Sequence, residues 1–397
     1  MSSEITVIGG GLAGLVAAVA SAEAGAAVTL HEAHASLGGR GRGTPAPYVA
    51  HEGAHVFYAD GPHWTWLAER GLTGKLGRPP LRETRAGFLW EGRLRRRPPA
   101  GFLRMVTLGR GRKAPVDRDF LGWAAESYGE ETARQAANAI SVVTYDADTG
   151  RLSAAFVWEL LRRVFAPKPP AVRWVVGGWQ AVIDRLAARA RELGVRVELN
   201  SRLTELPGHP TIVATELSSA RALLGDASLR WESGHCVMLD LAVSRGGGDL
   251  FICWDLDGGG FHESYSMQDP TVAPPGESLF QIDMPVRSGE SRADARLRLE
   301  ALTDLAVPGW RERVTWQRSA TARGRTGALD LPGHTWRDRP AIDRGDGVFL
   351  AGDMVAAPGM RGEISINSAI RAAAGAVRAA AARPHHGRAD SAPKLPA

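Results

Sequence analysis

Ile5-Thr6-Val7-Ile8-Gly9-Gly10-Gly11-Leu12-Ala13-Gly14 is the stretch from which the rest of the chain is read. Its four leading residues are apolar or β-branched and are cut short by glycine, as in a short buried strand. Glycines at 9, 11 and 14 then satisfy G-x-G-x-x-G, with Leu12 and Ala13 between them. An alanine-rich helix over 15–23 follows, stopped by Gly25. A second strand over 27–31 delivers Glu32 and Ala33, the acid standing 18 residues beyond Gly14. Three spaced glycines mean little in a chain with 47 of them, but strand, tight turn, helix, strand and acid in this order form the dinucleotide-binding arrangement. Gly9 permits the turn, Gly11 lets backbone approach a pyrophosphate, and Gly14 lets helix and strand close on each other. The helix N-terminus offers N–H groups and a positive dipole end to phosphate, and Glu32 accepts from ribose hydroxyls.

A second glycine-arginine loop, Leu37-Gly38-Gly39-Arg40-Gly41-Arg42, comes directly after the acid. With it the chain resembles the FAD-dependent flavin amine oxidase and phytoene desaturase superfamily, whose N-terminal signature is G-x-G-x-x-G, an acid, then G-G-R. The resemblance implies FAD, with Gly38, Gly39 and Arg40 near its phosphate and ribityl region. His51-Glu52-Gly53-Ala54-His55 matches in part a family segment that lies beside the isoalloxazine ring, which makes His55 a candidate catalytic residue alongside a structural reading. Val175-Val176-Gly177-Gly178-Trp179-Gln180, a helix over 181–193, a strand over 195–199 and then Asn200 to Leu206 resemble the family's second cofactor segment, with Leu203 as the adenine contact. Gly347 to Asp353 resembles the closing "hydrophobic-x-G-D" motif, and a small-residue helix follows. That implies Gly352 and Asp353 at a ribityl or phosphate oxygen. It also implies a helix N-terminus near Met360, Ile364 and Ser365 that stabilises negative charge on the flavin. Arg361 and Glu363 are candidate catalytic residues by position, either facing substrate or paired with each other.

Composition bounds the rest. Hydrophobic residues make up 44% of the chain and charged ones 23%, as in an ordinary globular protein of more than one domain. The net charge of +5 is carried almost wholly by arginine and does not suggest a nucleic-acid binder. Cys236 and Cys253 lack metal or redox spacing and read as buried thiols, which suits a cytoplasmic setting. No metal site is expected. Residues 5–30 are apolar, yet they lack a basic leader and hold five glycines, so neither a signal peptide nor a membrane span is expected. The run from Arg93 to Lys113 reads as a solvated arginine-rich loop; a peripheral membrane patch or a lip for an anionic substrate are the alternatives.

The expected fold class is α/β. A Rossmann-like FAD-binding domain of glutathione-reductase type occupies 1–61, 171–230 and 326–383. An inserted α+β substrate domain takes 62–170 (helical and aromatic-rich, with helices over 119–140 and 153–165) and 231–325 (β-rich, with a helix over 289–305). A disordered tail over 384–397 completes the division. The aromatic-rich insertion and the absence of lysine from the strand over 235–241 favour an FAD-dependent oxidoreductase that dehydrogenates or desaturates a hydrophobic or aromatic small molecule. The resemblance leaves the electron acceptor open among oxygen, a quinone or another acceptor. The alternatives are amine oxidation, a non-redox isomerase or cyclase, and a flavin-binding scaffold without turnover.

Overall fold

The structure is a computed structural model, and it describes residues 4–80, 82–166 and 171–382. The expected tail over 384–397 lies outside the described residues.

The chain enters one parallel sheet three times. First come β1 (Glu4–Ile8), α1 (Leu12–Glu23) and β2 (Ala27–His31), then β3 (Val56–Tyr58) and α2 (Pro62–Glu69). The first excursion holds β4 (Leu76–Gly77), β5 (Ala86–Trp90), β6 (Arg93–Arg95), α3 (Ala100–Leu108), α4 (Phe120–Tyr128), α5 (Glu130–Thr144) and α6 (Ala154–Val164). The return supplies β7 (Val172–Val175), α7 (Gly178–Glu192), β8 (Arg196–Glu198), β9 (Thr211–Val213) and α8 (Leu217–Leu224). The second excursion holds β10 (His235–Ser244), β11 (Ile252–Asp255), β12 (Phe261–Ser264), β13 (Glu277–Pro285), α9 (Arg292–Ala306), α10 (Trp310–Arg313) and β14 (Val314–Arg323). The chain closes on β15 (Val348–Leu350) and α11 (Gly362–Ala382).

The parallel sheet runs β15-β9-β1-β2-β8. Its central strand is buried on both faces, as parallel sheets covered by helices are. Ile5 and Val7 pack with Leu15 and Val19 of α1, Val182 and Leu186 of α7, and Ile366 and Ala373 of α11 in one core. The first and last helices of the fold therefore lie together, and a Cβ on Gly362 would come 3.5 Å from the Leu12 side chain. Strands β3, β7 and β4 form a separate three-stranded antiparallel sheet in the order β3-β7-β4.

A seven-stranded mixed sheet, β14-β10-β13-β12-β11-β5-β6, forms the second layer. One face is apolar: Val237, Leu239, Leu241, Ile282 and Met284 pack on Leu299 and Leu302 of α9. Because side chains alternate along a strand, the pairs Met238–Asp283, Asp240–Gln281, Phe261–Asp283 and Glu263–Gln281 put the residues between these on the opposite face. Helices α3 to α6 enclose a separate core around Phe102, Phe120, Trp158 and Leu161.

Several elements depart from the sequence reading. Helix α1 begins at Leu12, three residues earlier than expected, because Gly11 already has extended N-cap geometry and glycine at 14 does not stop the turn. The expected helix over 119–140 is two helices, divided at Gly129 with φ +83°. The first excursion also contributes β5 and β6 to the seven-stranded sheet, so it is more than helical; Ile252–Ala86 and Trp254–Phe88 are the pairings that recruit them.

Candidate active site

A cavity of about 1240 Å³ opens where the carboxyl ends of β1, β2 and β9 meet the polar-patterned face of the seven-stranded sheet. Cavities for single small ligands usually span roughly 300–1,000 Å³, so this one has room for more than that. Gly9, Gly11, Leu12, Ala13, Glu32, Ala33, Gly38, Gly39, Arg40, Leu203, Gly352, Asp353, Met360, Arg361, Glu363 and Ser365 all line it. Three expected site residues do not. Gly14 is behind the wall, where a Cβ would sit 1.8 Å from the Gly9 carbonyl oxygen, so its contribution is the closeness of helix and strand. Ile364 is turned into the protein and fully buried, and His55 belongs to a different cluster described below.

At the parallel-sheet end the cavity wall is backbone. Gly9 takes φ +105°, and Gly11 has nothing within 4 Å of where its Cβ would be. No side chain caps α1 and no acid sits in its first turn, so its N-terminal dipole faces the cavity uncompensated. Glu32 accepts from Gly10 N–H at 2.7 Å and from His34 N–H at 2.9 Å, which aims the carboxylate and leaves lone pairs for a further donor. These features fit the diphosphate and ribose of a dinucleotide: an open cradle without Cβ atoms, a free helix N-terminus and an oriented acid. Leu203, Ser201 and Thr204 line the same end, and Ser201 is held by His31 Nδ1 at 2.8 Å.

Farther in, Arg40 and Asp353 form a two-pronged pair at 2.7 and 2.9 Å. It joins the G-G-R loop to the loop after β15, 313 positions away. Ser368 of α11 fixes that loop by accepting from Gly352 N–H at 3.0 Å and bonding to the Gly352 carbonyl at 3.1 Å. The N-terminus of α11 does border the cavity, but its first turn carries the buried Glu363. Glu363 accepts from Arg163 of α6 at 2.7 Å and from Met360 N–H at 3.1 Å; Arg163 also binds Asp60. The carboxylate therefore offsets part of the helix dipole and ties the helical layer to the dinucleotide end. Glu363 and Arg361 are not an ion pair. Arg361, at φ +48°, lays its guanidinium 3.6 Å from the ring centre of Tyr145, itself at φ +53°, and donates from Nε to the Val143 carbonyl at 2.8 Å. Two non-glycine residues in left-handed conformation packed on each other are a strained feature at the cavity wall.

His55 is placed away from that wall. Its ring stacks on Tyr265 at 3.5 Å and touches His51. His51 Nε2 accepts from Gln180 N–H at 3.1 Å, so the His51 proton is on Nδ1 and points to His55 Nε2. Burial pushes His51 down to about 3 and His55 well below its usual value, with the neighbouring imidazole and Arg318 adding to the effect on His55. Both rings are neutral at physiological pH. Beneath them the Tyr265 O–H lies within hydrogen-bonding distance of two acceptors, the Gly53 carbonyl at 2.9 Å and Gln281 Oε1 at 2.6 Å. Gln281 in turn donates to Asp240 at 2.8 Å, and Arg318 holds Asp240 at 2.7 Å. The cluster is a fastening between the 51–55 loop and the seven-stranded sheet.

The far end of the cavity is made of residues the sequence reading did not select. Trp174, Phe251, Trp254 and Phe261 line it, with Met238 of β10 and Glu263 of β12. Trp254 stacks on Phe88 at 5.2 Å and meets Phe261 at 5.7 Å. Glu263 is 3% exposed, and burial raises its pKa to about 7 against the pull of a hydrogen bond from the Trp174 indole. Asp283, beside Met238 on the neighbouring strand, is also raised to about 7 by burial, with Arg361 acting in the opposite direction. For Asp240, Gln281 and Asp283 a signal was present in the sequence: a polar residue between apolar neighbours in a strand marks a buried polar face. Among the described residues no group of His, Cys, Asp and Glu could hold a metal, and no helix is long and apolar enough to cross a membrane.

Comparison with known proteins agrees with this architecture. Residues 7–70 match the family profile of the NAD(P)-binding Rossmann-like domain. An oxidoreductase from Methanosarcina mazei superposes with a TM-score of 0.75 at 16% identity, covering 93% of this chain and 99% of that one. Cyclohexylamine oxidase from Brevibacterium oxydans IH-35A gives 0.66 at 16% identity, over 95% and 99%. Putrescine oxidase bound to putrescine gives 0.71 at 14%, over 96% and 98%. No curated protein matches the sequence. The chain has the two-layer fold of these oxidoreductases, with a Rossmann-like nucleotide-binding domain at its core.

Proposed function

We propose that the protein is an FAD-dependent oxidoreductase that dehydrogenates or desaturates a hydrophobic small molecule. The observation that carries this reading is continuity: one cavity runs from a cradle for a dinucleotide diphosphate to a chamber of aromatic rings. Bound in the cradle, FAD would supply a two-electron acceptor for a hydride. Gly9, Gly11 and the α1 N-terminus would hold the diphosphate and Glu32 the adenosine ribose. Arg40 and Asp353, already paired, would present one donor edge and one acceptor edge to the linker between diphosphate and ring. Trp174, Trp254 and Phe261 would keep water from the reacting bond and orient an apolar substrate. Oxygen or a quinone remains the proposed electron acceptor.

Amine oxidation is the second reading. It draws support from the likeness in fold to proteins named cyclohexylamine oxidase and putrescine oxidase. A lysine-assisted route is not supported, since β10 presents Met238 to the cavity. The deciding experiment is the visible spectrum of the purified protein before and after anaerobic addition of candidate amines and polyenes. Bleaching of an oxidised-flavin spectrum by one class is expected and names the bond oxidised. Unbleached flavin with geometrically altered products would replace the proposal by an isomerase. Absence of flavin after reconstitution would overturn it.

A further inference from the structure

The positive charge of the chain is gathered in one stretch. Residues 91–113 hold eight Arg and Lys against the single acid Glu91, a surplus larger than the net +5 of the whole protein, so the remainder is slightly acidic. The stretch is not the solvated loop expected from its composition. It folds as β6, the edge strand of the seven-stranded sheet, and α3. Some of its cations are engaged: Arg95 pairs with Glu91, and Arg110 donates to the Arg162 carbonyl at 3.0 Å. Arg93, Arg96, Arg97, Arg104 and Lys113 are exposed, and no acid pairs with them among the described residues. Helix α3 is apolar on two opposite sides. Phe102, Met105 and Val106 turn into the core, while Leu103 and Leu108 stand in solvent at 42% and 81% exposure. Among the described residues no other large apolar side chain is as exposed as Leu108.

We propose that the outer face of α3, with the arginines before it and Lys113 after it, docks on an anionic lipid surface. Unpaired cations beside outward-facing leucines on a helix are what such a surface recognises: headgroups take the charge and the acyl boundary takes the hydrocarbon. A second copy of the chain would bring two strongly positive faces together and be repelled. An acidic protein would neutralise the arginines, but the charge gives it no use for Leu103 and Leu108. No helix among the described residues is long and apolar enough to cross a membrane, so the attachment is peripheral. The aromatic chamber lies close behind this face. Phe102 of α3 meets Phe165 at 5.0 Å, and Phe165 meets Trp254 of the cavity wall at 5.5 Å. A molecule dissolved in the lipid would be held two rings away from the chamber, although the docking itself does not depend on what the chamber binds.

The test is flotation of the full chain with two kinds of vesicle, phosphatidylcholine alone and phosphatidylcholine with phosphatidylserine. Each cation at an anionic surface strengthens attachment about five-fold, so the serine-containing vesicles should bind at least ten-fold more tightly, and raised salt should weaken them. Removing three cations together, Arg96→Gln, Arg97→Gln and Arg104→Gln, should cost at least about ten-fold. Removing the same charge elsewhere, with Arg191→Gln, Arg230→Gln and Arg287→Gln, should change binding less than about two-fold, because attraction fades within a Debye length of the surface. Leu108→Ser should weaken binding at least about three-fold through lost burial of hydrocarbon. Its side chain stands in solvent, so the melting temperature should not move. Equal binding to both vesicles, no binding to either, or equal losses in the two triple variants would overturn the inference. Losses from the arginines with none from Leu108→Ser would overturn the assignment to lipid and leave an acidic protein as the partner. A lipid-free dimer that Leu108→Ser abolishes, seen by sedimentation, would give the face to a second copy instead.

Discussion

The two ends of the cavity are built by opposite means. At the dinucleotide end the wall is backbone: glycines without Cβ atoms, a bare helix N-terminus and one acid held by N–H groups of its own neighbourhood. At the aromatic end the wall is side chains, gathered from β7, β10, β11 and β12 and held in place by cross-strand register. The first kind of site depends on what is missing from a few adjacent residues. The second depends on what distant residues present together. Substitutions should therefore fail differently at the two ends.

The largest effects should fall on the glycines, and two of them separate packing from binding. A Cβ at position 14 would lie 1.8 Å from the Gly9 oxygen, a backbone atom that cannot swing aside. Gly14→Ala should cost on the order of 3 kcal/mol or more and lower the melting temperature of the FAD-free protein markedly. Gly11 has ordinary backbone angles, φ −75°, and open space around its Cβ position. Gly11→Ala should leave the FAD-free melting temperature nearly unchanged while weakening FAD retention at least about ten-fold, because the methyl occupies the diphosphate's approach. Unaltered FAD affinity in that variant would show that the cradle is not where the diphosphate lies.

Next in size is the fastening between the ends. Breaking a buried ion pair by removing one partner usually costs about 3–5 kcal/mol. Arg163 keeps some contact with water, its side chain being 19% exposed, so Arg163→Ala should cost about 2–4 kcal/mol in a denaturant titration. The same variant tests Glu363. If that residue acts by holding α6 to α11, Glu363→Gln should lose stability and keep most of the rate of flavin reduction. A rate loss without a stability loss would return Glu363 to catalysis.

A pH titration sharpens the contrast at the aromatic end. Glu263 ionises near 4.5 in an unfolded chain and near 7 in the fold. Between those values the folded protein holds a proton that the unfolded chain has released, so stability falls as pH rises through that window and is level on either side. The shift corresponds to about 3–4 kcal/mol. Asp283 titrates in the same window, raised to about 7. The informative quantity is therefore the difference between wild type and Glu263→Gln, measured by denaturant unfolding at several pH values. The wild-type curve should fall more steeply by that amount, and parallel curves would mean that Glu263 is not desolvated.

The same contrast explains what could be read from the sequence. Gly9 to Glu32 is legible because a phosphate cradle is made within one βαβ unit, where spacing along the chain is spacing in space. Gly352-Asp353 is legible for a similar reason: a buried strand ending in Gly-Asp is a local pattern, although its partner Arg40 is not. Glu263 is hidden because His262-Glu263-Ser264 looks like a polar turn until β12 is laid between β11 and β13. The bond from Arg163 to Glu363 spans 200 positions, so neither residue signals the other. The resemblance of 51–55 to a ring-side segment points His55 towards the cavity, yet Glu52, Gly53 and Ala54 are the residues of that segment that reach the wall, while His55 stacks on Tyr265 and bonds to His51.

The smallest expected effect on chemistry belongs to His55, and it decides whether the 51–55 loop is a fastening or part of the reaction. A neutral imidazole stacked on Tyr265 and bonded to His51 has no path to a substrate in the cavity. His55→Gln should keep a polar partner for His51, cost about 1–2 kcal/mol of stability through lost packing, and leave the rate of flavin reduction within about two-fold. The variant should also lose part of the wild type's acid sensitivity. Imidazoles held neutral by burial leave the unfolded chain to take up the protons, so the wild type loses stability as pH falls below about 6.5, towards the value of about 3 reached by His51. Removing one of the two rings should flatten that acid limb. A large fall in reduction rate with the acid limb unchanged would instead put His55 in contact with the reacting molecule, and the loop would then belong to the aromatic end of the comparison.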